Sequence, residues 1–284
     1  MKTSSVFQRH IAEVRRVKLD TVSPIHSAGP VLEMGEWEKN DPFLIMMEDK
    51  FRRGAFDVHP HRGLETVTFV IDGSIEHYDS QSGDGGVLGP GDVQWMTAGS
   101  GVMHNEQPSE GVTAHSLQLW VNLPRDQKMS APRYQNLKSA DMPVREEHGA
   151  LIRVFSGSSH EVVSQTLNHI PVTMVEAIME PGSTVTQDLP GSYNGFIYII
   201  QGSGVFGSSK TPAHQGQMMW LGRGRDGEAS EIEITAEEPL RFVLYAGEPV
   251  REPVVAHGPF VMNTETEIVE AFRDLRQGTF LKHS

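Results

Sequence analysis

Two stretches of the chain read as copies of one β module, and no other feature of the sequence constrains the fold as strongly. "TVTFVIDGSIEHYDS…LGPGDVQWM" and "GFIYIIQGSGVFGSS…HQGQMMWLG" share a strand, a turn at Gly73 or Gly202, a second strand, and a Gly-led run ending in Met and Trp. Repetition of a β unit within one chain points to duplication. The strand-like runs are "LETVTFVIDG" (64–73), "SLQLWVNL" (116–123), "VTMVEAIME" (172–180), "FIYIIQGSGVFG" (196–207) and "LRFVLYAG" (240–247). Glycine and proline, 28 and 17 residues, punctuate them, so an all-β sandwich or barrel is expected. "TETEIVEAFRDLRQG" (264–278) is the clearest helix. Thr264 and Glu267 are spaced as a capping box, Ile268, Ala271, Phe272 and Leu275 form an apolar stripe, and Gly278 stops it. Between residues 124 and 148 strand periodicity lapses. The expected division is residues 1–130, a link at 131–147, and residues 148–284.

At 284 residues the chain can bury a sizeable core. With 37 acidic against 24 basic residues its formal charge is −13. That balance argues against direct nucleic-acid binding and against an anionic membrane surface. No window has the apolar length of a membrane span, and the first residues lack the apolar core of a secretory signal. A cytoplasmic protein is the default expectation.

"FDVHPHRGLETVTFV" (56–70) runs from loop into strand and sets His59 and His61 two residues apart. On an extended chain they face one side, with Pro60 facing the other. Alone, such a pair is better explained by a polar strand entrance where two histidines meet solvent. "GVMHNEQ" (101–107) repeats the arrangement with His104 and Glu106. Two same-face pairs, each beside a β segment, form a set of three imidazoles and one carboxylate. The chain has no cysteine, so any metal must sit among His and carboxylates. The set suits Fe, Mn, Ni, Cu, Co or Zn and disfavours Ca and Mg, which take mostly oxygen. It leaves coordination positions open for substrate or O2.

"FDVHPHRGLETVTFVIDGSIEHYDS", "GPGDVQWMTAGSGVMHNEQP", "HSLQLWVNLP" and "GEPVREPVVAHGPFVMNTETEIVEAF" together resemble the pirin family of the cupin superfamily, from about Asp41 to Phe280. The resemblance implies two cupin barrels in tandem with a C-terminal helix. It further implies iron, as Fe(II), in the first barrel alone, with the family's ligands falling on His59, His61, His104 and Glu106. Glu65 occupies the place where many cupins supply a carboxylate ligand. Here it is expected to orient an imidazole or to bond to the barrel wall. Some pirin-like proteins resemble quercetin 2,3-dioxygenases, which implies a flavonol-like small-molecule substrate and Glu106 as the catalytic base. The alternative is an iron-dependent regulator acting through a protein partner. A monomer is expected.

The remaining candidates weigh less. His77 and His115 are expected to be core or surface histidines; His160, His169, His214 and His257 are scattered singly. Arg15, Arg62, Trp95 and Met96 are candidates to line the pocket, with core packing as the alternative for the last two. Aligning Gly202 with Gly73 sets Asp188 and Pro190 against His59 and His61, so no ligand set is expected in the second barrel. "GRGRDG" (222–227) reads as a loop.

Overall fold

The alternating runs become strands of two mainly antiparallel barrels built to one plan. In the computed structural model, which describes residues 6–80 and 85–281, the first barrel has a seven-stranded sheet. Its order is Arg133–Leu137, Val93–Thr97, Leu64–Asp72, Thr113–Asn122, Phe43–Arg52, His26–Leu32 and Asp20–Ser23. A four-stranded sheet accompanies it, in the order His59–His61, Val102–Pro108, Ile75–Asp79 and Val87–Leu88. The second barrel repeats the large sheet as Ile11–Arg16, Gln217–Leu221, Asn194–Gln201, Leu240–Gly247, Val172–Met179, Ala150–Ser156 and Val144–Glu147. Its smaller sheet is built around Ala229–Ala236, which pairs with Thr184–Pro190 and Ser203–Phe206.

Gly73 and Gly202 make equivalent turns, both at φ +79°. A side chain at Gly73 would lie 2.6 Å from the Thr113 carbonyl oxygen, and one at Gly202 would lie 2.0 Å from that of Pro239. Only glycine fits either turn.

The domain boundaries differ from those expected. One compact unit is Met1–Lys18 with Ala140–Pro249; the other is Leu19–Ser139 with Val250–Ser284. Residues 6–18 thus belong with the later barrel, and the C-terminal helix with the earlier one. The chain does cross from one unit to the other at Ser139 and Ala140, inside the expected link at 131–147, but much of that stretch is strand. Arg133–Leu137 pairs with Val93–Thr97, and Val144–Glu147 pairs with Ala150–Ser156. Both are sheet edges, where polar residues are favoured, so neither carries an apolar alternation.

The helix Glu265–Gln277 is capped by Thr264, whose hydroxyl accepts from the Glu267 N–H at 3.3 Å, and ends at Gly278 with φ +71°. Its buried Ile268 and Ala271 pack with Phe260, Met262, Phe280 and the half-buried Met103. Met103 precedes His104, so the helix covers the strand that carries part of the candidate site. No helix among the described residues is long and apolar enough to cross a membrane.

Candidate metal centre

His59–His61 is a three-residue strand whose register against Val102–Pro108 puts His59 opposite His104 and His61 opposite Val102. Three imidazoles therefore meet on one face. Ring centroids are 4.4 Å apart for His59 and His104, and 5.0 Å apart for each of the other two pairs. One nitrogen from each ring lies within 4.8 Å of the others.

The ring nitrogens divide into two kinds. Nδ1 of His59 faces the Asp57 carbonyl oxygen at 2.8 Å, and Nδ1 of His61 faces that of Pro259 at 3.3 Å. A carbonyl only accepts, so each Nδ1 carries the proton and each Nε2 presents a lone pair. His104 Nδ1 meets Nε2 of His77 at 3.0 Å. Nε2 of His61 and of His104 is buried without a hydrogen-bond partner. Two orphaned imidazole nitrogens in one place, that of His61 with its lone pair free, are costly unless something meets them, and a cation does. The residues fit a bound metal.

Burial, helped by the neighbouring His59, lowers His61 to about 3. Burial likewise holds His104 well below its ordinary value, with His61, His59 and His77 adding to the effect. The two rings are neutral over the physiological range, which is the form that binds metal.

Glu106 follows His104 on the same face but stands outside the triad of ligand atoms. Its Oε1 accepts from the Thr68 hydroxyl at 2.8 Å, and its Oε2 accepts from the Gln118 amide. Thr68 and Gln118 are themselves a cross-strand pair. Glu106 and His59 share the wall of a cavity of about 290 Å³ with both of them.

Other expected residues sit elsewhere. Glu65 is fully buried and accepts from the Thr97 hydroxyl at 2.6 Å, a bond to the barrel wall rather than to an imidazole; burial raises its carboxyl. Arg62 does not line the cavity. It is buried, donating to the Ser100 carbonyl at 2.7 Å, to Asp274 at 2.8 Å and to the Phe280 carbonyl at 3.3 Å. Trp95 and Met96 are fully buried core, and Arg15 belongs to the other domain. His115 pairs with Glu48 at 2.7 Å. His160, His169 and His214 lie in the other domain, and His257 packs edge-on against Phe272.

His77 is the residue that sequence reasoning missed. It is buried on Ile75–Asp79, opposite Glu106, and its alternation with Ile75 and Asp79 was the available signal for an inward ring. Positions equivalent to the four expected ligands in the second barrel follow from its pairing. Gln187, Leu189, Ile232 and Ile234 stand where His59, His61, His104 and Glu106 stand in the first. Asp188 and Pro190, expected at two of these positions from the sequence, are one residue out of register. The three aliphatic residues are part of the second barrel's core.

Residues 25–121 match the family described as Pirin, and residues 174–281 match the Pirin C-terminal cupin domain. The chain belongs to the pirin family. A pirin-like protein of Solanum lycopersicum is 40% identical over 284 residues, covering 98% of this chain and 96% of that protein. Among solved structures, GK1651 from Geobacillus kaustophilus is 61% identical with a TM-score of 0.87, covering 88% of this pirin-family chain and all of that one. A quercetin 2,3-dioxygenase from Acinetobacter baumannii is 29% identical with a TM-score of 0.85, covering 97% of this chain and 99% of that one.

Proposed function

We propose that the first barrel is a metal-dependent dioxygenase of the quercetin 2,3-dioxygenase type, binding Fe(II) and cleaving a flavonol-like enol with O2 and release of carbon monoxide. The observation that carries this reading is the convergence of three imidazoles, two with buried unpartnered Nε2 atoms, beside a carboxylate at a cavity wall. His59, His61 and His104 would hold the ion, with Glu106 as fourth ligand. Bound there, the metal supplies Lewis acidity and the redox chemistry that links an electron-rich enolate to O2.

The protein's own part is to make the enolate and hold it. Glu106 takes the proton of the flavonol 3-hydroxyl onto a carboxylate oxygen. Thr68 and Gln118 aim that carboxylate without filling its four lone-pair positions. Apolar walls formed by Met47, Phe51 and Phe56 keep bulk water from the deprotonated ring.

Anaerobic reconstitution, elemental analysis and O2 uptake with quercetin test the reading. One equivalent of metal is expected, lost in a His59→Ala/His104→Ala double variant that stays folded. Glu106→Gln should keep metal while losing about 10²–10⁴-fold in turnover. If the iron-, manganese-, nickel- and copper-loaded proteins all leave O2 untouched, the reading is overturned in favour of a regulatory role.

A further inference from the structure

The cavity that holds Glu106 has a second polar end. The strand Phe43–Arg52 turns Met47, Asp49 and Phe51 toward it by simple alternation. Across the sheet, Met47 pairs with Gln118, Asp49 with Ala28 and Ser116, and Phe51 with His26. Each of these residues lines the cavity. The row of Asp49 lies one two-residue step, about 7 Å along the strand, from the row of Gln118 and Thr68 that holds Glu106. The carboxylates of Glu106 and Asp49 thus open into one cavity from different rows of the sheet.

Asp49 is an odd choice for packing alone. It interrupts an inward apolar series, is nearly buried, and is paired with His26, whose Nε2 lies 2.7 Å from its Oδ1. A buried Asp–His pair is a poor stabiliser compared with apolar residues of the same volume. His26 in turn sits edge-on to Phe56 at 5.0 Å and to Phe51 at 6.2 Å, with Phe51 and Phe56 4.9 Å apart. The pair thus fixes a carboxylate inside an aromatic wall, and a carboxylate bonded at one oxygen keeps acceptor positions to spare.

We propose that the His26–Asp49 pair is the second anchor of this pocket, binding a phenolic hydroxyl on the end of a planar aromatic substrate that lies away from the histidine triad. The inference rests on the function proposed above for that triad. The hydroxyl donates to Asp49, a charge-assisted bond, while the Phe51 and Phe56 edges meet the ring. His26 is a positioning residue; it holds the carboxylate in line.

The test uses the metal-loaded full chain with quercetin, kaempferol and 3-hydroxyflavone, which keep the enol and differ in phenolic hydroxyls. Dissociation constants are measured anaerobically by fluorescence, and KM and kcat by O2 uptake. The native protein should prefer the polyhydroxylated flavonols about tenfold or more, the worth of a hydrogen bond to a charged group. Asp49→Asn and His26→Gln should shrink that preference to within about threefold, chiefly in KM and Kd rather than kcat. Persistence of the preference in both folded variants overturns the anchor, as does its absence from the native protein. A hydroxyl preference without O2 uptake leaves the anchor standing and sinks the dioxygenase reading; O2 uptake blind to the hydroxyls does the reverse. Failure of all three flavonols to bind overturns both.

Discussion

Replacing Arg62 by Met should unfold the metal-bearing barrel more readily than any change at its surface. The guanidinium is 2% exposed, makes the three hydrogen bonds to Ser100, Asp274 and Phe280, and lies 4.5 Å from the Phe280 ring centroid. Methionine matches the stem but leaves two carbonyls and a carboxylate without their donor. Hydrogen bonds to a charged group are worth about 1.5–3 kcal/mol each, though three to one group do not add fully. A loss of about 3–5 kcal/mol is expected, in the range seen when one partner of a buried pair is removed. For a unit of this size that lowers the midpoint of thermal unfolding by about 6–20 °C. Arg62→Lys should recover little, because one ammonium cannot reach three acceptors set in a fork. Asp274→Asn should cost only about 1 kcal/mol, since its partner keeps both carbonyls. Calorimetry of the metal-free proteins, with urea unfolding followed by tryptophan fluorescence, gives the comparison. An Arg62→Met protein within about 1 kcal/mol of the parent would refute the assignment of this residue as the tie between strand and helix.

Three other outcomes are expected. His77→Phe, which removes the partner of His104 Nδ1, should weaken metal binding by about 10–100-fold in chelator competition while leaving the fold intact. In the metal-free protein, His61 at about 3 binds fewer protons than its unfolded counterpart at 6.5, so its effect lowers stability as pH drops through that interval, by about 5 kcal/mol in total, and levels off below it. Between pH 6 and 4.5, His61→Gln should therefore flatten the pH dependence of urea stability by about 1.4 kcal/mol per pH unit. Residues 1–140 expressed alone should aggregate, because they lack Phe260, Met262 and the helix that cover Met103; a soluble, metal-binding fragment would show that this cover is dispensable.

The histidine triad was legible because strand alternation has a period of two, and residues two apart face one space without knowledge of any long-range contact. Pairing His59 with His104 needed only the guess that both runs were strands. What could not be read was anything decided at sheet edges. "IAEVRR" and "RYQNL" carry no apolar alternation, since each has one neighbour and an exposed flank, and their partners lie far away in sequence. The repeat misled by one residue for a similar reason. The connection from Pro190 to Asn194 is one residue longer than that from His61 to Leu64, so counting back from the shared glycine lands on Asp188 rather than the inward Gln187. A one-residue slip turns every side chain to the other face. His77 and the His26–Asp49 pair were hidden because a single inward polar residue looks the same in sequence whether it meets a ligand, a metal-bound ring or another core residue.

The same geometry couples the metal site to the end of the chain. His61 takes its Nδ1 acceptor from Pro259, and the next residue, Arg62, is held by Asp274 and the Phe280 carbonyl. Lys128 adds a second tie, its ammonium donating to Gly63, Asn122 and Val261 oxygens at 2.8, 2.6 and 3.0 Å. The strand that supplies two of three imidazoles is thus positioned by residues some two hundred places away in sequence. An ion that binds only the assembled triad stabilises that assembly in proportion to the logarithm of its concentration over its dissociation constant. By the same linkage, whatever loosens the segment from Val250 onward weakens the ion's hold. The C-terminal helix is therefore part of the metal centre's thermodynamics although none of its side chains contributes to the triad.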